Sequence, residues 1–423
     1  MTGAPVPDTE DTDLLDAVAQ VFAKARPDPA APLFVGVAVS GGGDSMALLH
    51  LLHRLAPSEG YLLHAVTVDH GLRPEAADEA AGVAAFCARQ GVAHEILRWR
   101  GPQETGNLMD QARRARLCLI ADWAVARGVG HVALGHTADD QAESFLMNLS
   151  RAAGLDGLSG MRRGWLEHGI RWYRPLLQKR REVLRDYLRR NSVTWIDDPS
   201  NENDRFTRVK ARRALRALKP LGITVERLLA STQHLFDARS ALQMALAQAV
   251  ETHVTERAGA LHLSADGLCA LGAELERRLL SHAIRWMNGA GYPPRAEQLL
   301  RLMSTLHDHR DATLGGVRFR WRQETLVISR EPRAVMGPVP AAQLWDHRWR
   351  VVGPLAEGQT LAALGVAGLR QCPGWRDLAS REALIVSPAV WQGDRLIAAP
   401  LARPEPDWGA TLGPSFGMFI LAH

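Results

Sequence analysis

Cysteine is scarce and scattered in this sequence. Cys87, Cys118, Cys269 and Cys372 are its four cysteines, and no two of them form a CxxC pair. That spacing excludes a disulfide framework and a thiolate metal site, and predicts reduced thiols packed as small apolar side chains. Long apolar runs are missing too: "LFVGVAV" stops at Ser40 and every helical pattern carries charge, so no segment reads as membrane-spanning. The opening stretch "MTGAPVPDTEDTDLLDAV" is acidic and lacks the positive flank and apolar core of a signal peptide. A cytoplasmic protein with no membrane partner is the expectation. There is little excess of charge of either sign, the net being +4 over 423 residues, so where the charges lie says more than their sum. The length exceeds one ordinary core and predicts two or three domains.

What is present first is alternation. β-branched apolar runs at Leu33–Val39, Leu62–Val68, Val92–Leu97 and His131–Leu134 are separated by helical patterns. This predicts an α/β domain with a Rossmann-like parallel sheet, covered on both faces and binding ligands beyond the carboxyl ends of its strands. Residues 1–220 are assigned to it, with Pro220 and Gly222 marking the boundary. Long helical periodicity then predicts a mainly helical domain over 221–331, closing on a hairpin-like alternation at 313–332. Residues 332–423, rich in Pro, Gly and Trp, read as a small β-rich domain that includes "ALIVSPAVWQGDRLIAAPLA".

Three strand ends carry polar clusters. The first, Ser40-Gly41-Gly42-Gly43-Asp44-Ser45, has the glycines of a phosphate loop but no Walker A lysine. Three glycines let main-chain N–H groups curl inward, and the positive end of the following helix adds to them. Asp44 would repel phosphate directly, so a Mg²⁺ ion bridging the carboxylate to phosphate oxygens is the expected resolution; a capped glycine turn is the plainer alternative. The second cluster holds Asp69 and His70 before Gly71 and Arg73. It could meet a ribose or adenine edge, or be an ordinary strand end. The third runs from Gly135 and His136 through Asp139, Asp140 and Glu143. First-turn acids suit a helix dipole, but acids at the ligand edge of the sheet can also bind magnesium, hold a cationic substrate or act as bases. Arg113 and Arg116 share a helix face and could reach a triphosphate.

A basic segment follows. Arg205, Arg208, Lys210, Arg212, Arg213, Arg216 and Lys219 crowd one predicted helix. With Arg171, Arg174, Lys179, Arg180 and Arg181, interleaved with Trp172 and Tyr173, they form a candidate RNA surface, or else a solvated helix face.

Together "SGGGDS", "VDHGLR", "GHTADDQAES", "RPLL" and "DDPSNENDRFTRVKARR" resemble, in order and spacing, the tRNA(Ile)-lysidine synthases of the PP-loop ATP pyrophosphatase superfamily. The resemblance covers the first half of the chain and, in "LIVSPAVWQGDRLIAAP", loosely part of the rest. It departs at Thr137, where a second histidine is usual, at Val209 and Ala211, usually asparagine and isoleucine, and at Asp110 and Leu117, usually glutamate and tyrosine. The resemblance implies ATP bound by Ser40–Ser45, Asp69 and His70. It further implies adenylation of the wobble cytidine of a tRNA(Ile) with a CAU anticodon, and attack on carbon 2 by free L-lysine. Catalytic roles then fall to Asp44, Arg113, Asp139 and Asp140, magnesium to Asp44, and lysine or tRNA contacts to His136, Glu143, Arg205, Arg208, Lys210 and Arg212. A homodimer is left open. The rivals are a PP-loop tRNA thiolase, which would need reactive cysteines, an amide synthetase using glutamine-derived ammonia, and a non-catalytic nucleotide- or tRNA-binding protein.

Overall fold

The computed structural model describes residues 9–23, 25, 32–71, 76–99, 101, 108–196, 207–289 and 293–422. The chain divides into two compact units, Met1–Arg239 and Ser240–His423.

The first unit begins with α1 (Thr9–Ala23) and continues through β1 (Leu33–Ala38), α2 (Gly43–Glu59), β2 (Tyr61–Asp69), α3 (Ala76–Gln90), β3 (Ala93–Arg98), α4 (Leu108–Ala126) and β4 (His131–Leu134). Next come α5 (Ala138–Leu149), the single turn α6 (Leu155–Leu158), β5 (Gly164–Glu167), β6 (Ile170–Tyr173), α7 (Arg181–Arg190) and α8 (Thr207–Leu218). Its sheet has the order β3-β2-β1-β4-β6-β5. The strands run parallel except β5, which pairs antiparallel with β6. The α/β fold expected from the alternation is therefore observed, with an antiparallel edge added. Period-two alternation explains the two covered faces. Val35 and Val37 pack with α1, α2 and α7 side chains on one side, and Ala38 with Ile120, Trp123 and Ala124 of α4 on the other. Gly36 suits the close approach of side chains from α4 to β4, because a Cβ there would stand 3.1 Å from Trp123, Val129 and Val132 and make them give way by a few tenths of an ångström. Strand order reverses between β1 and β4, which opens the crevice where open α/β sheets bind ligands.

The boundary between the units falls inside α9 (Val225–His253). The second unit contains β7 (Val254–Arg257), β8 (Ala260–Ser264), α10 (Ala265–Ala270), α11 (Gly272–Asn288), α12 (Ala296–His307), β9 (Ala312–Leu314), β10 (Val317–Arg322) and β11 (Thr325–Arg330). Helices α11 and α12 pack on the five-stranded sheet β7-β8-β11-β10-β9. The expected hairpin is thus the centre of a sheet whose β7 and β8 periodicity did not disclose. The helix read over 265–288 breaks at Gly272, whose φ of +67° is left-handed. The remainder is β-rich: β12 (Val339–Pro340), β13 (Trp349–Val352), β14 (Thr360–Ala363), α13 (Gly365–Leu369), α14 (Arg381–Leu384), β15 (Pro388–Gln392), β16 (Arg395–Ala398), β17 (Gly409–Leu412) and α15 (Phe416–Ala422). The "ALIV" run at 383–386, read as strand, instead lies at and just after α14, because the Ser380 side chain caps that helix by accepting from Ala383 N–H.

Two of the cysteines, Cys87 and Cys372, are buried as expected; Cys118 and Cys269 are exposed. No described helix is long and apolar enough to cross a membrane.

Candidate active site

The glycine-rich loop closes the gap between β1 and α2. Gly41 has φ +83°, a left-handed value that favours glycine, and a Cβ there would press within 2.9 Å of Ile196. Ile196 N–H donates to Gly41 O at 2.9 Å, tying the loop to the segment after α7. Ser45 Oγ accepts from Ser40 N–H at 3.1 Å and donates to Gly42 O at 2.9 Å. Ser40 Oγ lies 3.2 Å from it. The Ser45 hydroxyl thus braces the loop. The N–H groups of Gly41, Gly42 and Asp44 find no acceptor among the described residues, and they sit at the positive end of α2. Gly135, at the end of β4, is what lets the two strand ends close up: a Cβ there would be 2.9 Å from Ser45 Cα and 3.0 Å from Asp44 O.

The acids beyond β4 meet this loop through an arginine. Thr137 caps α5 in a capping box in which Asp140 Oδ2 accepts from Thr137 N–H at 2.8 Å and from its hydroxyl at 2.9 Å. Arg181, the first residue of α7, donates to Asp44 Oδ2 at 2.9 Å, Asp140 Oδ1 at 3.1 Å and Glu143 Oε1 at 3.2 Å. Its main-chain N–H donates to Asp139 Oδ2 at 2.7 Å, and Arg180 reaches both Asp139 oxygens at 3.3 Å. Arg212 of α8 donates to Glu143 Oε1 at 2.7 Å, and Arg208 comes within 3.9 Å of Asp140. The other Glu143 oxygen, Oε2, is buried with no hydrogen-bond partner among the described residues.

These surroundings separate the acids chemically. Burial pushes the Asp44 carboxyl up to about 6, against the pull of Arg181. Burial would also raise Asp140, but the Arg181 and Arg208 guanidiniums and the Thr137 N–H hold it below the usual carboxylate range. An acid held down in this way and already capping a helix is a poor proton acceptor.

His136, just before the cap, receives Arg174 Nε–H on its Nδ1 at 3.1 Å. Burial, then Arg174, push it down to about 3. His70 is also lowered, by burial and by Arg116. Arg116 of α4 acts electrostatically on both histidines. One Asp69 oxygen accepts from Gly71 N–H at 2.9 Å, closing its own turn, while His70 Nδ1 is buried without a hydrogen-bond partner among the described residues. Arg113 lies on α4 with its side chain outside the described ones, and Arg205 lies outside the described residues.

The expected RNA surface is redistributed. Trp172 and Tyr173 are core residues, 0% and 8% exposed, and Arg174 is buried; none is available to stack on a base. Parallel strands buried on both faces read as apolar whatever their position, so the strand pattern hid this. Lys210, Arg213, Arg216 and Lys219 do face outward, with Arg208 half-exposed, while Val209 and Ala211 are buried. The two substitutions in α8 are thus on its packing side. Arg181 is the functional residue missed: it was grouped with the surface charges. A signal existed, since paired arginines at the start of a helix oppose its dipole and need nearby anions.

A family model described as a PP-loop domain matches residues 14–218. The chain is 45% identical over 383 residues to the tRNA(Ile)-lysidine synthase of Ruegeria pomeroyi, covering 90% of this chain and 91% of that one. To the tRNA(Ile)-lysidine synthase of Hyphomonas neptunium it is 40% identical, over 75% of this chain and 85% of the relative. Among solved structures, the U34-tRNA thiolase NcsA of Methanococcus maripaludis aligns over 54% of this chain and 80% of its own, with 16% identity and a TM-score of 0.47.

Proposed function

Because the chain belongs to the tRNA(Ile)-lysidine synthase family, we propose that it joins free L-lysine, through its side-chain amine, to carbon 2 of the wobble cytidine in a CAU anticodon of tRNA(Ile). It is an ATP-dependent ligase that forms a carbon–nitrogen bond and releases AMP and diphosphate, changing codon reading from AUG to AUA. Residues 1–220 do the chemistry; 221–331 and 332–423 serve tRNA recognition in the cytoplasm.

The observation that carries the reading is that one guanidinium, Arg181, touches both the phosphate-loop acid Asp44 and the amine-facing acid Glu143. With the nucleotide assigned to Asp44 and the amine to Glu143, both fall within one side chain's span, as a two-step reaction at one carbon requires. In the first step the cytidine oxygen on carbon 2 attacks the α phosphorus and diphosphate departs into the loop, where the N–H groups of Gly41, Gly42 and Asp44 receive it. Asp44 gives one oxygen to Arg181 and the other makes no hydrogen bond among the described residues, so the carboxylate fits a Mg²⁺ ion beside the loop. When bound, magnesium offsets the charge of the leaving diphosphate. Arg116, on α4, adds charge to the same step, and Arg113 is assigned the same role from the family resemblance.

In the second step the lysine amine attacks carbon 2, the bond to the adenylate oxygen breaks and AMP leaves. Glu143 Oε2, buried and without a partner, is the acceptor for the amine's N–H. Asp139 orients it and takes the proton that the amine loses as the carbon–nitrogen bond forms, and Asp140 holds the helix cap in place. The exposed cations of α8, Lys210 and Arg208 among them, take the anticodon backbone.

The test is to incubate the protein with ATP, Mg²⁺, L-lysine and tRNA transcripts. AMP release should need both lysine and a CAU-anticodon tRNA(Ile). AMP appearing only with a sulfur donor, or without any RNA, would overturn the reading.

A further inference from the structure

We propose that Arg174, seated on Trp165, fixes His136 as the neutral tautomer with its proton on Nε2, and that this N–H donates a hydrogen bond to a phosphoryl oxygen of the bound nucleotide. Arg174 is then a positioning residue and His136 a hydrogen-bond donor, neither base nor cation. The inference rests on the nucleotide site described above.

The argument starts from the antiparallel edge. Trp165 of β5 lies opposite Trp172 of β6 in register, and the two rings stack at 5.8 Å with 13° between planes. Trp172 is fully buried, so it backs Trp165 rigidly. The Arg174 guanidinium stands 4.1 Å from the Trp165 ring centroid, a cation–π seat, and Nη1 donates to Arg162 O at 2.7 Å. Two anchors on one rigid fork leave Nε–H aimed at His136 Nδ1, 3.1 Å away.

A guanidinium is always a donor and never an acceptor. The atom it meets must offer a lone pair, so His136 cannot carry a proton on Nδ1. The neutral ring therefore carries it on Nε2, and Nε2 makes no hydrogen bond among the described residues. A second proton is opposed by the groups around the ring: Arg174 beside β6, Arg116 of α4 and Arg208 of α8, with only Asp140 of α5 favouring it.

The ligand follows from the place. His136 is next to Gly135, whose Cα closes on the backbone of Asp44 and Ser45, and it lies just ahead of α5. The positive end of α2 lies across Gly135, and the charges of Arg174, Arg116 and Arg208 that oppose a second proton on the ring favour an anion beside this neutral donor. Among the groups the reaction brings to the end of β1, the phosphoryl oxygens are the anionic ones. A neutral donor there bonds the phosphate without giving up a proton, so the departing AMP keeps its charge and the ring needs no reprotonation between turnovers.

The test is an imidazole ¹H–¹⁵N correlation spectrum of the full chain, with the His136 signals identified by their loss in His136→Gln. The wild type should show Nδ1 at the position of an unprotonated nitrogen and Nε2 protonated, unchanged between pH 8 and pH 6, and adding Mg²⁺ and ATP should shift the Nε2 proton downfield. Nδ1 carrying the proton, a cationic ring at pH 7, or a spectrum indifferent to ATP would each overturn the proposal. In Arg174→Met the fixed tautomer should give way to a mixture, or to a ring that titrates between pH 6 and 8. Persistence of the wild-type signals in that variant would remove Arg174 from the role. In turnover assays His136→Gln, whose amide N–H reaches near Nε2, should keep at least tenfold more kcat than His136→Asn, with the KM for tRNA equal in the two; the reverse order would count against the proposal. The spectra need no ligase activity, so a failed tautomer assignment and a failed function are told apart.

Discussion

At the end of β1 the groups facing the ligand belong to the main chain: the N–H groups of Gly41, Gly42 and Asp44, held in place by a serine brace and a left-handed glycine. At the end of β4 they are side chains, and they are already matched. Asp139, Asp140 and Glu143, joined through Arg181 by Asp44 from the loop, face Arg180, Arg181, Arg208 and Arg212. The first region waits for an anion with unpaired dipoles. The second region holds opposite charges in balance, so a cationic substrate has to compete with a resident guanidinium for the acids. The difference teaches that the loop's affinity is built into backbone geometry, whereas the acid cluster's affinity depends on how far Arg181 can give way.

That contrast can be broken at its hinge. Arg181→Gln leaves three carboxylates in a partly buried cluster without their shared cation, and losing one partner of such a network should cost about 2–4 kcal/mol. A thermal melt should drop markedly, while Gly41–Ser45, braced by its own hydrogen bonds, should still bind diphosphate. Loss of both together would mean that the loop depends on the cluster. Glu143→Gln sharpens the distinction by touching only the amine side. The KM for lysine should rise roughly 10–100-fold, equivalent to about 1.4–2.7 kcal/mol, with the rate of tRNA adenylation in the absence of lysine unchanged. An equal fall in adenylation would place Glu143 on the nucleotide side.

The smallest effect concerns stability and pH. Burial raises the Asp44 carboxyl in the folded chain to about 6, well above the ordinary range of an aspartate, so folding favours its protonated form. The stability this contributes is fully present below the unfolded value and is lost as pH rises through about 6. Asp44→Asn lacks this loss. Its melting temperature relative to wild type should therefore be higher at pH 8 than at pH 5, by the equivalent of about 1.4 kcal/mol. No change in the difference between the two pH values would contradict the desolvation of Asp44.

Legibility followed the same division. The phosphate loop could be read because glycines and a strand–helix junction are local signals, and the sheet because its strands alternate with helices over short connections. The acid cluster could be located but not resolved. Whether Asp140 is a base or a cap depends on Thr137 beside it and on Arg181, which lies 41 residues further along the chain. Trp172 and Tyr173 were misplaced on a surface because an aromatic beside arginines looks alike whether it stacks on RNA or, as here, fills a core under a cation–π seat. Strands β7 and β8 escaped notice because they are short and border the long helical runs that dominate their surroundings.

The central claim is that main-chain amides at the start of α2, with a metal held at Asp44, receive the diphosphate in the adenylation step. Single-turnover formation of adenylated tRNA(Ile) from ATP, measured with lysine withheld, isolates that step. Wild type should accumulate the adenylate with stoichiometric diphosphate, and Asp44→Asn should slow its formation by about 10³-fold, the loss of roughly 4 kcal/mol of transition-state stabilisation. Adenylation by Asp44→Asn at the wild-type rate would contradict the account.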